Sequence, residues 1–338
     1  MKRVVCEEPY RLVRDEAPEP AAREDCAFVH IRRVGVCGTD LHAYRGEQPY
    51  FTYPRVLGHE LSGEIVRVGP NTQGLRAGDR VLVIPYTACG GCVACRRGRP
   101  NCCVNLQYYG VHVDGGMCEY MAIPVDHLIP ANDVSLDDAA MVECLSIGMH
   151  AVNRASVGPQ DTVLVVGAGP IGLGVMRLAK LTGANVIAMD TNERRNAFAA
   201  KWAGVDATVM AQDHPLEELF RLTGGDLPTV VVDATGNARS MMDCFQYVCH
   251  GGTVVYVSLV KDVITFYDPD FQKKETTLLS SRGAVRAEFE RVLEYIRAGQ
   301  VDIASFITHR LTLDEVPESF EALLRPDSGV IKAIVEIP

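Results

Sequence analysis

TVLVVGAGPIGLGVMRLAKLTGANVIAMD, residues 162–190, decides the fold. The run of β-branched and apolar residues from Val163 to Val166 reads as a short buried strand, broken by Gly167, Gly169 and Gly172. Ile171, Val175, Leu178 and Ala179 then recur at helical spacing, and a second apolar run from Asn185 ends in Asp190. Each part has a task in holding a dinucleotide. Gly167 permits the tight turn, Gly169 lets backbone approach a pyrophosphate, and Gly172 lets helix and strand pack closely. Pro170 and Ile171 open the helix, whose first-turn N–H groups and dipole favour phosphate. Asp190 stands where a carboxylate can take both ribose hydroxyls and would repel a 2′-phosphate, so NAD is expected ahead of NADP. Arg194 and Arg195 lie close by and leave NADP open; Arg195 is taken as a cofactor contact.

Outward from this stretch, Val163, Val186, Ala207, Val230, Val254 and Leu278 mark six strands with helical segments between most of them. That alternation predicts an open parallel sheet of the doubly wound class. Before it, Asp137 to Ala155 reads as helix, ended by Ser156-Val157-Gly158-Pro159. The first half carries short β-type runs (28–34, 61–68, 80–84, 120–123) separated by turns such as Ala77-Gly78-Asp79, which predicts a small irregular β-barrel. After the helix from Ala287 to Gly299, the tail closes on a strand-like run, Ile331 to Ile337, expected to return to the first domain. The expected division is residues 1–146 with 290–338, and 147–289.

The 338 residues suit two domains, each with its own core. A net charge of −10 argues against nucleic acid or an anionic membrane as partner. No apolar run reaches the roughly 18 residues that a membrane helix needs. The start, MKRVVCEEPY, lacks the apolar stretch of a secretory leader, so a cytoplasmic enzyme is expected. Twelve cysteines are many for that compartment, where disulfides are rare, and a local cluster of them points to metal.

Cys89, Cys92 and Cys95, with Cys103 eight residues later, can close tetrahedrally on Zn²⁺ with no open position, which marks a structural site. Glycines 90, 91 and 98 let the loop wrap the ion, and Cys102 is an alternative to Cys103. A second set is dispersed: Cys37, Thr39 and His42 within GVCGTDLH (35–42), His59 and Glu60 in the GHE triplet, and Glu143. Singly, each has a plain reading as a core, turn or surface residue. Beside a four-cysteine loop and a dinucleotide fold, the functional reading prevails.

These residues give the chain a resemblance to the zinc-dependent medium-chain alcohol and polyol dehydrogenases over essentially its whole length. GVCGTDLH (35–42), YPRVLGHE (53–60), CGGCVACRRGRPNCC (89–103), VECLSIGMHA (142–151) and VGAGPIGLG (166–174) carry it. VIPYTACGGC (83–92), DATGN (233–237), HGGTVVYV (250–257) and DPDFQKKETTLLSSR (268–282) are similar to a narrower group, the L-galactonate 5-dehydrogenases.

The resemblance implies a GroES-like irregular β-barrel catalytic domain beside a Rossmann coenzyme domain, in a homodimer or homotetramer. It implies two zinc ions per chain. Cys37, His59 and Glu60 correspond to the catalytic ligands, and Glu143 to a glutamate near the metal. Cys144 stands where relatives mostly have proline, which leaves the fourth ligand open. Thr39 and His42 match a proton relay. The implied reaction is NAD-linked oxidation of a secondary hydroxyl of L-galactonate or a similar aldonate, with a polyol, L-threonine or L-gulonate as alternatives. A non-catalytic nucleotide-binding relative is the reading from another class. An aldonate needs a cation in its pocket: Arg282 is the candidate, with Arg286, Arg45 and Lys274 in reserve.

Overall fold

The computed structural model describes every residue except 22 and 326. By contacts the chain divides into two compact units, Met1–Glu143 with Val285–Pro338, and Cys144–Ala284. The division falls inside one long helix, Leu136–Arg154.

The first unit is mostly β, and the strand Cys26–Val36 is its spine. It pairs antiparallel with Glu60–Arg67, with Tyr120–Pro124 and with the C-terminal strand Lys332–Glu336. It serves three partners because it is long: Glu60–Arg67 runs along one edge, while Tyr120–Pro124 takes Cys26–His30 and the C-terminal strand takes Arg33–Val36 on the other. Against Glu60–Arg67 its register slips between Phe28 and Val29 and between Ile31 and Arg33. Such bulges bend a strand and re-aim its edges. Arg80–Val83, Leu128–Pro130 and Ile307–Thr312 complete this seven-stranded sheet. Val29, Ile31, Val34, Leu61, Ile65 and Val335 form part of its core.

A separate three-stranded sheet opens with the hairpin Lys2–Glu8 and Arg11–Glu16, which the sequence reading passed over. In the first strand charged residues flank the buried Val4, Val5 and Cys6, and in the second only Leu12 is buried, so the apolar signal is short. Tyr10 makes the turn at φ +65°.

The second unit is a six-stranded parallel sheet. Its order is Ala207–Met210, Asn185–Asp190, Thr162–Val166, Val230–Asp233, Thr253–Tyr256 and Thr277–Ser280. Each of the six sequence markers falls on one of these strands, in the 3-2-1-4-5-6 arrangement of the doubly wound class. Thr162–Val166 is central and buried from its second residue onward, as an apolar run covered on both faces must be. Among the described residues no helix is long and apolar enough to cross a membrane.

Candidate active site and cofactor cavity

The four-cysteine loop closes on itself. One donor atom from each of Cys89, Cys92, Cys95 and Cys103 lies within 4.8 Å of the others, and the sulfurs of Cys92 and Cys95 are 3.5 Å apart. Four sulfurs at the usual Zn–S distance are separated by about 3.8 Å in a tetrahedron. Gly90 and Gly98 turn the loop with φ of +70° and +71°, a conformation that disfavours any side chain. The N–H groups of Cys89 and Asn105 donate to the Cys103 sulfur. Backbone donors, led by that of Cys95, bring the Cys92 thiol down to about 6, which favours the thiolate. Burial and neighbouring thiols push Cys95 up, as expected where four sulfurs would share negative charge without a cation. The donor set fits a closed zinc site. Among the described residues no disulfide competes for these thiols.

The dispersed set converges as well. Cys37 directly follows the spine strand and precedes the short helix Gly38–Tyr44, while His59 stands just before the neighbouring strand and Glu60 begins it. Donor atoms of Cys37, His59 and Glu60 lie within 4.8 Å of one another. His59 and Glu60 are buried, and His59 Nδ1 and Glu60 Oε2 have no hydrogen-bond partner. Orphaned polar atoms at such depth are costly unless something else satisfies them. Burial works against a charged His59, yet Cys37, Asp40 and Glu143 together hold its pKa well above the ordinary value. The pocket is therefore arranged for a cation, and a set of three unlike donors, one short of a closed tetrahedron, suits a catalytic zinc.

Glu143 is buried near this group, though it is not among the three that close to ligand distance. Its carboxyl is raised to about 7, first by burial and then by Glu60, against the opposing pull of His59 and Lys332. Cys144, the next residue, is buried. Thr39 is half-buried on the short helix, and His42 is exposed with Nδ1 2.9 Å from Glu47 Oε2.

Two residues of this site escaped the sequence reading. Asp40 is fully buried; it accepts the N–H groups of Cys37 and Gly58 and lies 3.9 Å from His59 Nδ1. Its position three residues after Cys37, in a helix's first turn, was the available signal. Lys332 reaches Glu60 from the C-terminal strand. A single lysine in the apolar run IKAIV (331–335) was the only hint.

In the second unit the glycine-rich turn is built as its spacing requires. Gly167 has φ +96°, and a Cβ on Gly172 would fall 1.8 Å from the Gly167 carbonyl oxygen. A Cβ on Gly169 would meet no protein atom within 4 Å, so the space in front of the helix Pro170–Leu181 is open to a ligand. Asp190 Oδ2 accepts the Ala168 N–H at 2.7 Å and Oδ1 accepts that of Asn192 at 2.8 Å. The Asn192 side chain caps the next helix by accepting from Arg194 and Arg195. Gly167, Gly169, Asp190 and Arg195 thus border one cavity of about 410 Å³. Pro170, Ile171 and Gly172 build its turn rather than its wall. Asn237, which caps the helix Ala238–Tyr247 after the strand Val230–Asp233, and Arg239 in that helix's first turn also line it, and they were found only from the structure.

Arg282 is exposed just past the strand Thr277–Ser280, at its C-terminal end. Arg282 and the reserve cations all have partners in the structure. Lys274 donates to the carbonyls of Phe245, Gln246 and Val248 at the end of a helix, Arg286 to those of Asp126 and Leu128, and Arg45 pairs with Glu47.

Two family models match the chain: the alcohol dehydrogenase GroES-like domain over residues 23–133 and the zinc-binding dehydrogenase over 170–298. The chain is 41% identical over 338 residues to L-galactonate-5-dehydrogenase of Escherichia coli K12, covering 99% of this chain and 98% of that one. It is 33% identical to L-idonate 5-dehydrogenase of Vitis vinifera, covering 89% and 86%. A crystal structure from E. coli CFT073, described as a short chain alcohol dehydrogenase complexed with NADH, superimposes with a TM-score of 0.93 at 30% identity, covering 99% of each chain.

Proposed function

Because this chain belongs to the zinc-dependent medium-chain alcohol dehydrogenases, oxidoreductases acting on CH–OH donors, we propose that it oxidises a secondary hydroxyl of an aldonate, L-galactonate or a close relative, with NAD as acceptor. The observation that carries the chemistry is the convergence of Cys37, His59 and Glu60 donor atoms within 4.8 Å. The substrate class is supported by 41% identity, across nearly all of both chains, to a protein named for L-galactonate.

Cys37, His59 and Glu60 would hold the catalytic zinc, with Glu143 near it, and the four-cysteine loop would hold a structural one. When bound, the catalytic ion supplies Lewis acidity that lowers the pKa of a substrate hydroxyl, and NAD supplies the hydride acceptor. The chain's own residues manage the rest. Asp40, fixed by two backbone N–H groups, sets the field around His59, as outer carboxylates do for ligating histidines. Thr39, two residues beyond Cys37, receives the hydroxyl proton and passes it toward His42. Glu47 beside Nδ1 holds one ring nitrogen and leaves Nε2 to take a proton, and the exposure of His42 lets the proton leave to water.

The 410 Å³ cavity would hold the coenzyme, with Gly169 admitting its pyrophosphate and Asp190 taking the adenosine ribose hydroxyls. Asp190→Ala is expected to weaken NAD by roughly 10- to 150-fold, the equivalent of one charge-assisted contact of about 1.5–3 kcal/mol, and to improve NADP relative to NAD. Steady-state kinetics with both coenzymes check this; a wild-type preference for NADP in kcat/KM would refute the assignment.

Arg282 grips the substrate carboxylate through its planar fork, at the strand end where open α/β sheets take ligands. Arg282→Ala should cost roughly 1.5–3 kcal/mol in kcat/KM for an aldonate and much less for a neutral polyol. Equal losses on both substrates would make Arg282 a structural residue. We also place the chain in a homo-oligomer: the strand Thr277–Ser280 ends its sheet with Leu278 exposed, an edge suited to self-pairing. A solution mass of one chain would contradict that.

A further inference from the structure

Three adjacent strands of the first unit meet under the Cys37–His59–Glu60 set. Glu60 stands opposite Gly35, and Gly35 stands opposite Ile334 on the C-terminal strand. Side chains alternate along a strand, so Lys332, two residues before Ile334, falls on the face shared by Gly35 and Glu60. Its side chain is 1% exposed, and Nζ donates to Glu60 Oε1 at 2.5 Å. Glu60 is itself fully buried. Its second oxygen, Oε2, has no hydrogen-bond partner and lies over Gly35, where a Cβ would come within 2.0 Å of it.

A buried ammonium and carboxylate are expensive to dehydrate, and an apolar pair of the same volume often serves stability as well or better. Stability alone therefore gives little reason for this pair. Its geometry gives another. One carboxylate oxygen is committed to Lys332, and the missing side chain of Gly35 makes room for the other. A carboxylate with both oxygens free can close on a metal through both and fill the position that a substrate needs.

We propose that Lys332 is a positioning residue that restrains Glu60 to one-oxygen contact with the catalytic metal and so keeps a coordination position open. The inference rests on the zinc-site reading above and deepens it. Lys332 also adds a positive charge beside the ion, so the two effects predict the same sign when it is removed. Without Lys332, Glu60 holds the metal through both oxygens and the metal leaves more slowly.

The test uses full-length enzyme with cobalt in the catalytic site, compared as wild type, Lys332→Met and Lys332→Arg. In Lys332→Met the visible absorption of cobalt is expected to weaken and shift as its coordination number rises. Loss of the metal to a chelator should slow by roughly tenfold or more, as removal of one nearby charge implies. Lys332→Arg should restore the wild-type spectrum. An unchanged spectrum in Lys332→Met, or a faster loss of metal, overturns the proposal, since a merely structural lysine would loosen the site. If Lys332→Met does not fold, Gly35→Ala carries the test, because its Cβ presses on Oε2 directly. A changed spectrum there supports the placement of Oε2 toward the metal, and an unchanged one overturns it. Cys37→Ser separates the two readings: if it leaves the wild-type cobalt spectrum intact, the catalytic-site assignment itself fails.

Discussion

Cys37→Ser is expected to lower kcat by roughly a thousandfold or more while the chain still binds NAD with near wild-type affinity. The loss follows from what a Lewis acid contributes: several kcal/mol of charge stabilisation, where about 4 kcal/mol is a factor of a thousand. Serine is nearly the same size but is a poor zinc ligand, so the three-donor set drops to two. The local fold has little reason to change. Cys37 precedes the helix Gly38–Tyr44, where its N–H is held by Asp40, and serine is itself a favoured residue at a helix start. The coenzyme cavity is lined wholly by residues of the other unit, so its affinity is insulated. Turnover near the wild-type kcat would show that Cys37 is not a catalytic ligand.

Cys95→Ser is expected to give the opposite pattern, a loss of stability before a loss of chemistry. The loop from Cys89 to Cys103 has little apolar core of its own. Its helix Val93–Arg96 is a single turn with no buried residue, and Val93 and Val104 are exposed. Metal binding is then coupled to the folding of this lobe. Zinc content should fall from about two ions per chain to about one, and Tm should drop by roughly 5–10 °C or more. Unchanged Tm and an unchanged zinc content would remove the structural assignment.

Much of this was legible in the residues because the chemistry leaves few alternatives. Four cysteines within fifteen residues can hardly serve anything but a metal, and they close as their spacing implies. The glycine positions at 167 and 172 are required by backbone alone: one needs positive φ, and the other meets a carbonyl oxygen where a Cβ would be. The central parallel strands Thr162–Val166, Asn185–Asp190 and Val230–Asp233 were visible because they are buried nearly throughout and read as apolar runs. The N-terminal hairpin was not, since half of each strand is charged and its turn carries no glycine. Asp40 and Lys332 were missed for a different reason. Their roles depend on which strands become neighbours, and 272 residues separate Lys332 from the carboxylate it holds. Arg239 likewise reaches the coenzyme cavity only through the sheet order that places Val230–Asp233 beside Thr162–Val166.

The reading of substrate stands on fewer residues than the reading of reaction, and it is the claim most worth testing directly. The measurement is kcat/KM for NAD reduction by the purified, zinc-loaded enzyme over L-galactonate, L-gulonate, sorbitol and L-threonine. The account predicts that an aldonate, L-galactonate first, is the best substrate by at least tenfold, in line with one charge-assisted contact to a carboxylate that sorbitol lacks. Sorbitol or L-threonine turned over far better than either aldonate would contradict it.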